Sequence, residues 1–275
     1  MTELKLMRKI GFSLQTCSKT IFNLEKAITA GFTHIELKWD NFNSQSEQKR
    51  TITFLQNQDW GEVTLSLHTP LKNINIGSLS DVKRKQSVTC LIEVIRATKE
   101  LDTKFVVIHG GKIPAGLPRS QRFKKKSYRA QLKSLQEIDL FCKERGIILA
   151  LENGYSIKDQ GLLTTIDEMA QLHELIDDLS FILDIGHFIL NNPLQNIQIQ
   201  LKKHPYLRFS AIHLHDNNQT ADDHLALGKG ILLQQKEELK AILKSINNCP
   251  IIIESTGFKA ALITKSNLLK NDLLS

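Results

Sequence analysis

The stretch "GIILALE", residues 146–152, decides how the chain is read. A glycine opens it, five apolar residues follow without polar alternation, and a carboxylate closes it. The segment before it, 126–145, has helical spacing and a polar face, so Gly146 reads as a helix stop. A short run that is apolar on both faces is a strand covered from both sides, as in parallel sheets. The stretch is therefore one helix-to-strand step, with a polar residue at the strand's end.

The step recurs along the chain. Apolar runs of the same kind are "KIGFSL" (9–14), "THIELK" (33–38), "VTLSLH" (63–68), "KFVVIH" (104–109), "LSFILD" (179–184), "FSAIHLH" (209–215) and "PIIIES" (250–255). Helix-like segments cover 19–30, 44–57, 81–101, 126–145, 164–177, 194–203, 232–246 and 258–272, and Gly31 stops the first as Gly146 stops the fourth. No low-complexity linker or shift in composition marks a boundary, so 1–275 reads as a single α/β domain. Eight strand–helix units in this length predict a (β/α)8 TIM barrel with its site at the C-terminal face of the strands. A doubly wound sheet would carry a glycine-rich phosphate turn after its first strand, and "FSLQTCSKT" (12–20) has none.

Composition narrows the class without naming a function. The chain is 41% hydrophobic and 24% charged, as soluble globular proteins are. Its N-terminus interleaves charge with apolar residues, so no signal peptide is expected, and no apolar run reaches the roughly 18 residues of a membrane span. Cys17, Cys90, Cys142 and Cys249 are widely spaced and read as reduced thiols of a cytoplasmic protein. The net charge of +7 suits polyanions, nucleic acid included, or phosphorylated small molecules. Part of it lies in "RSQRFKKKSYR" (119–129), a solvated loop and helix start by default, with Lys124 its candidate phosphate contact.

The strand ends carry the chemistry. Reading the last residues of the runs gives Glu36, His68, His109, Glu152, Asp184, His213 with His215, and Glu254. In a closed barrel these ends share the face where this architecture places its catalytic residues. His187, in "DIGHF", and Asp222, Asp223 and His224 follow just beyond two of the strands. Carboxylates gathered there would repel one another, and a cation removes that cost. Histidine nitrogens with carboxylate oxygens and no cysteine suit zinc, manganese or iron better than calcium. His173, in a helical stretch, and His204, before a proline, are expected away from this face.

Taken together, "SLHTPL", "VVIHGG", "LALENG", "LDIGH", "IHLHDN", "DDHLALGKG" and "IIIES" resemble, in order, the motifs of the xylose isomerase-like TIM barrels. That superfamily holds sugar phosphate isomerases and epimerases beside the endonuclease IV type of abasic-site nuclease, AP endonuclease family 2. The nuclease resemblance implies up to three zinc ions. His68 and His109 would bind the first, and Glu152 would bridge it to a second on Asp184, His213 and Glu254. His187, Asp222 and His224 would take the third. Gly228 and Gly230 match the G-x-G of both branches, where the chain turns tightly into the next helix. The isomerase resemblance implies one Mn2+ or Mg2+ on Glu152, Asp184, His213 and Glu254.

Two chemistries follow. The first is metal-dependent hydrolysis of a phosphoester, of which abasic-site DNA is one. The second is isomerisation or epimerisation of a sugar or sugar phosphate, in which Glu152 and Glu254 move the proton. Glu36, His215 and Lys124 are the expected substrate contacts. His215 lies on the same strand face as His213, so those two could exchange roles. Trp39 and Phe42, in the loop 38–50, could touch DNA, although that loop also reads simply as an entry to a polar helix. The loops "LDIGHFILNN" and "YSIKDQG" and the "HGG" after the fourth strand depart from the nucleases. Ligand number tips the balance slightly toward the hydrolase.

Overall fold

Eight parallel strands close into a barrel in strict sequence order, each neighbour paired with the next and β8 with β1. The structure, a computed structural model, describes residues 8–15, 20–39, 45–97, 99, 101–118, 120–155 and 161–274. The strands are β1 (Ile10–Gln15), β2 (His34–Lys38), β3 (Thr64–His68), β4 (Thr103–His109), β5 (Ile148–Glu152), β6 (Ser180–Asp184), β7 (Phe209–Leu214) and β8 (Ile251–Ile253). Around them run α1 (Thr20–Thr29), α2 (Gln45–Gln56), α3 (Asp81–Ala97), α4 (Gln121–Lys143), α5 (Ile166–His173), α6 (Ile185–Ile189), α7 (Gln195–Lys203), α8 (Lys236–Ser245) and α9 (Phe258–Lys270). The expected architecture is the observed one.

Period two in the strands sorts side chains between lumen and helices. Outward residues such as Leu65, Leu67, Leu149 and Leu151 join the main core under the helices. Inward ones form a second, smaller cluster: Phe105, Val107, Ala150, Ile182, Ala211 and Ile252. Burying each of the larger of these contributes on the order of 2 kcal/mol, so the lumen is plugged by packing. The next inward position on each of these strands lies two residues on, above the plug: His109, Glu152, Asp184, His213 and Glu254. The same parity on β2 and β3 gives Glu36, Lys38 and His68. Pairing sets them side by side, His109 against Glu152, Asp184 against His213, and Lys38 against His68.

Several local expectations shift. α4 begins at Gln121, not 126, because the Ser120 hydroxyl caps it by accepting from the Phe123 amide. The described part of the basic run therefore forms helix turns, not a loop. The five-residue α6 was not expected; Asp184 caps it, with Oδ1 accepting from the His187 amide at 2.7 Å. Trp39 is buried against the core, so it is not available to touch DNA as the loop reading allowed. Phe42, Cys17, Arg119 and residues 156–160 of the loop after β5 lie outside the described residues. Among the described residues, no helix is long and apolar enough to cross a membrane.

Candidate metal centre

Glu152 stands at the centre of the mouth, fully buried. Its Oε2 is 2.9 Å from His109 Nε2 and 3.2 Å from His68 Nε2, and Oε1 is 3.2 Å from His213 Nδ1 and 3.5 Å from His187 Nδ1. Four histidines thus converge on one carboxylate. His68 Nε2 and His109 Nε2 are themselves 3.1 Å apart, facing the same oxygen. Two donor atoms each about 2.0–2.2 Å from one zinc stand roughly 3.3–3.6 Å apart at a tetrahedral angle, close to these separations.

The tautomers make the point sharper. His68 donates its Nδ1–H to the Thr69 carbonyl (3.0 Å), His187 to the Asn153 carbonyl (2.9 Å) and His224 to the Glu254 carbonyl (2.8 Å). A carbonyl only accepts, so Nε2 is left as the lone-pair nitrogen of each neutral ring. Those nitrogens face carboxylates: His68 faces Glu152, while His187 and His224 face Asp222 Oδ2 at 3.4 and 3.3 Å. A lone pair against a carboxylate is repulsive unless a cation or a proton lies between them. Anchoring the far nitrogen on a carbonyl or carboxylate is also how metal-bound histidines are oriented. His213 follows the carboxylate version, its Nε2 3.0 Å from Glu36 Oε2.

Without an ion, protons take that place. Burial lowers the pKa of His187, yet Asp184, Asp222 and Glu152 outweigh it and push the ring up to about 10. His213 is likewise buried and likewise raised, by Glu36, Glu254 and Glu152. Burial would raise Glu152 and Glu254, but the surrounding basic groups hold both well below the usual range, His109 and His213 for one and Lys38 and His213 for the other. Asp222 is depressed in the same way by His187 and His224.

Donor atoms fall into adjoining groups: His68, His109 and Glu152; Glu152, Asp184, His213 and Glu254; His187, His215, Asp222 and His224; and Glu36, His68 and Glu254. The residues fit divalent ions by a further observation. Asp184 Oδ2, Asp222 Oδ1 and both ring nitrogens of His215 are buried with no hydrogen-bond partner among the described residues. Native interiors rarely leave such atoms unmatched, and here they cluster where a cation would sit.

All nine residues expected as ligands are brought to this mouth. Asp223, beside two of them, is exposed. His173 lies on α5, and His204 ends α7 with Nε2 2.6 Å from Asp167 Oδ1, both away from the site as expected. The three expected substrate contacts do not line the mouth cavity. Glu36 lies below it, buried against Ser13, Ser66 and His213. His215 is buried behind His187 and His224. Lys124 is on α4, 2.8 Å from Glu168 Oε1. The cavity itself, about 220 Å³, is lined by residues including Lys38, His68, His109, Tyr155, His187 and Glu254.

Three contributors went unread in the sequence. Lys38 Nζ lies 2.9 Å from Glu254 Oε1, and its inward parity with Glu36 was the available signal. Asn153 clamps β5 to β6: its side chain accepts from the Asp184 amide (2.8 Å) and donates to the Asp184 carbonyl (2.9 Å). Asp216 adds a second reason for the G-x-G beside the tight turn that Gly228 makes at φ 88°. Its carboxylate accepts from the amides of Gly228, Gly230 and Leu232 at 2.8–3.1 Å, and a side chain at Gly230 would strike the Asn217 carbonyl. The motif folds the loop carrying Asp222 and His224 back onto β7.

A family model described as xylose isomerase-like TIM barrel matches residues 24–271. The uncharacterized protein MJ1614 of Methanocaldococcus jannaschii is 29% identical over 252 residues, 89% of this chain and 91% of its own length. Among solved structures, a D-tagatose 3-epimerase-like protein superposes with a TM-score of 0.79 at 25% identity, over 96% of both chains. Endonuclease IV from Thermus thermophilus shares the fold with a TM-score of 0.67 at 18% identity, over 95% of this chain and 99% of its own.

Proposed function

The chain belongs to the xylose isomerase-like TIM-barrel family, and from that membership we propose that it is a multinuclear, divalent-metal-dependent hydrolase of phosphoesters. The observation that carries this reading is the engagement of Glu152. Both of its oxygens face histidine nitrogens at 2.9–3.5 Å, which suits a ligand shared between ions and leaves neither oxygen to move a proton on a substrate. The ions, zinc by donor type, would be held by His68, His109 and Glu152, by Glu152, Asp184, His213 and Glu254, and by His187, Asp222 and His224. Bound there, divalent ions supply Lewis acidity toward phosphoryl oxygens and bring the pKa of water toward neutrality.

The remaining residues shape the site. Glu254 holds the Lys38 ammonium at the cavity wall, where it offers a fixed positive charge to a phosphoryl oxygen. Leu71, Ile74, Leu162 and Leu163 form the apolar side and limit water. The cavity of about 220 Å³ continues past Lys38, His224 and Glu254 into an adjoining one of about 530 Å³.

The likeness to a D-tagatose 3-epimerase-like protein favours a second reading. In it, one Mn2+ or Mg2+ on Glu152, Asp184, His213 and Glu254 serves sugar or sugar-phosphate epimerisation. That reading makes His68 and His109 contacts to sugar hydroxyls and Asp222 and His224 a polar turn at the cavity wall, not metal ligands. The experiment is elemental analysis of protein purified without chelator or metal-affinity tag, followed by assays with bis(4-nitrophenyl) phosphate, abasic duplex DNA and ketoses. Two or three zinc ions per chain with phosphoester turnover are expected. One ion per chain with ketose turnover would replace this reading with the second.

A further inference from the structure

The ring of His215 has no task in the site as assigned so far. It is fully buried, and among the described residues neither of its nitrogens has a hydrogen-bond partner. A buried polar group left unmatched pays the full cost of its desolvation, so an unused imidazole in this position calls for a ligand. Its Nε2 lies 3.3 Å from Asp184 Oδ1 and 3.5 Å from Asp222 Oδ1, the latter also unmatched. The ring stacks on His224 with centroids 3.9 Å apart and planes at 21°.

The chain is shaped to seat it. Gly186, between Asp184 and His187, presents bare backbone to the His215 ring, and a side-chain carbon there would strike Cε1 and both nitrogens. His224 is held in the left-handed backbone region, φ 47°, by its ring bond to the Glu254 carbonyl and by the Thr256 amide donating to its own carbonyl. A non-glycine residue there stores backbone strain, which a bound ion would offset.

Building on the multinuclear reading, we propose that His215 is a fourth protein ligand beside His187, Asp222 and His224, and that this group is a closed, structural ion site. Four protein ligands fill a tetrahedral zinc, whereas three leave a position for water or substrate. The His68–His109–Glu152 group, with three, is the open one. The closed ion ties α6, the end of β7 and the 222–224 loop together. By the same count substrate takes its position on the ion of the His68–His109–Glu152 group, while His187, Asp222 and His224 reach the cavity only as wall residues with their ion's positions filled.

The test uses the full chain with Zn2+ and, separately, Co2+ as the reporting ion. His215→Asn and Gly186→Ala are each checked for fold by circular dichroism. Both are expected to lose one zinc equivalent against a competing chelator, or to hold it at least about tenfold more weakly. Both should also lose the intense visible absorption of a four-coordinate cobalt. In the wild type, that cobalt band should persist when inorganic phosphate is added, while signals from open sites change. The last measurement keeps the test decisive should either variant fail to fold. Unchanged zinc content, affinity and cobalt spectrum in a folded His215→Asn overturn the inference, as does a wild-type spectrum in which every cobalt band responds to phosphate. The same number of zinc ions, two or three, held equally tightly in wild type and variant would sink the fourth ligand alone. A single zinc in the wild type would sink the multinuclear reading and this inference with it.

Discussion

His34 and His215 are both buried in the lumen of one barrel, at its floor and at its mouth. His34 has a hydroxyl on each nitrogen, Thr64 Oγ1 at 2.8 Å and Ser66 Oγ at 2.9 Å, and its ring stacks flat on Phe105. Among the described residues His215 has no hydrogen-bond partner on either nitrogen, and its Nε2 lies near the carboxylates of Asp184 and Asp222, with other histidines around it. Burial treats them alike, but satisfaction separates them. The floor is a closed polar network that needs no further component, and the mouth is a network with members missing. A histidine in a core is therefore no sign of a site until its hydrogen bonds have been counted.

The largest effect that tests this contrast is expected at Glu152. Glu152→Gln keeps the shape and removes the charge that four histidines share. Metal content should fall by at least one ion per chain, and phosphoester turnover by about a thousandfold or more, roughly 4 kcal/mol of transition-state stabilisation. Elemental analysis and steady-state kinetics check both. A variant that keeps every ion and most of its turnover would make the mouth a self-sufficient network like the floor.

How far was this legible in the sequence? The barrel was, because eight buried runs with polar ends are a local pattern repeated. The candidate ligands at the strand ends were legible for the same reason: strand parity carries each run's last inward residue to the mouth, whereas His187, Asp222 and His224 lie beyond the strands and were placed there by the family resemblance. His215 was harder, since it shares parity with His213 while β7 ends at Leu214. Beyond a strand's end, alternation no longer says where a side chain goes. The roles of Asn153 and Asp216 are bonds to backbone amides and carbonyls of other loops, and loop paths leave no period to read. α6 is too short to show one. Lys38 was readable by parity and passed over because lysine is not a ligand type.

A smaller effect is expected at the floor, as a function of pH. Burial depresses His34 to about 4, more than Glu36 raises it. Its folded pKa thus lies below that of the unfolded chain, about 6.5, so the unfolded chain binds more protons between those values. Stability attributable to His34 is complete above about pH 6.5 and is lost as pH falls toward 4, by about 3 kcal/mol in all. His34→Gln, which keeps hydrogen-bonding capacity, should flatten that decline in urea denaturation at stepped pH while leaving zinc content unchanged. A variant that lost zinc would join floor and mouth into one network and dissolve the contrast.

The smallest effect belongs to Lys124, and it asks how far the mouth extends. Its side chain is partly exposed and paired with Glu168, whose other oxygen accepts from the Thr164 amide, so the pair fastens α4 to the start of α5. Surface pairs of this kind contribute roughly 0.2–1 kcal/mol, and Lys124→Ala should cost no more. Gln121, Lys125, Tyr128 and Arg129 line the same shallow pocket, and Leu162 separates it from the mouth by lining both. A small phosphodiester held at the mouth would not cross Leu162, so its kcat and KM should not change. A longer phosphate chain would cross it, and each phosphate neutralised there steepens the salt dependence of binding by about one unit of slope. Lys124→Ala therefore reads substrate size. With bis(4-nitrophenyl) phosphate unaffected, an unaltered salt slope on abasic duplex confines the substrate to the cavity. A shallower slope extends it over α4 and makes the basic helix part of the site.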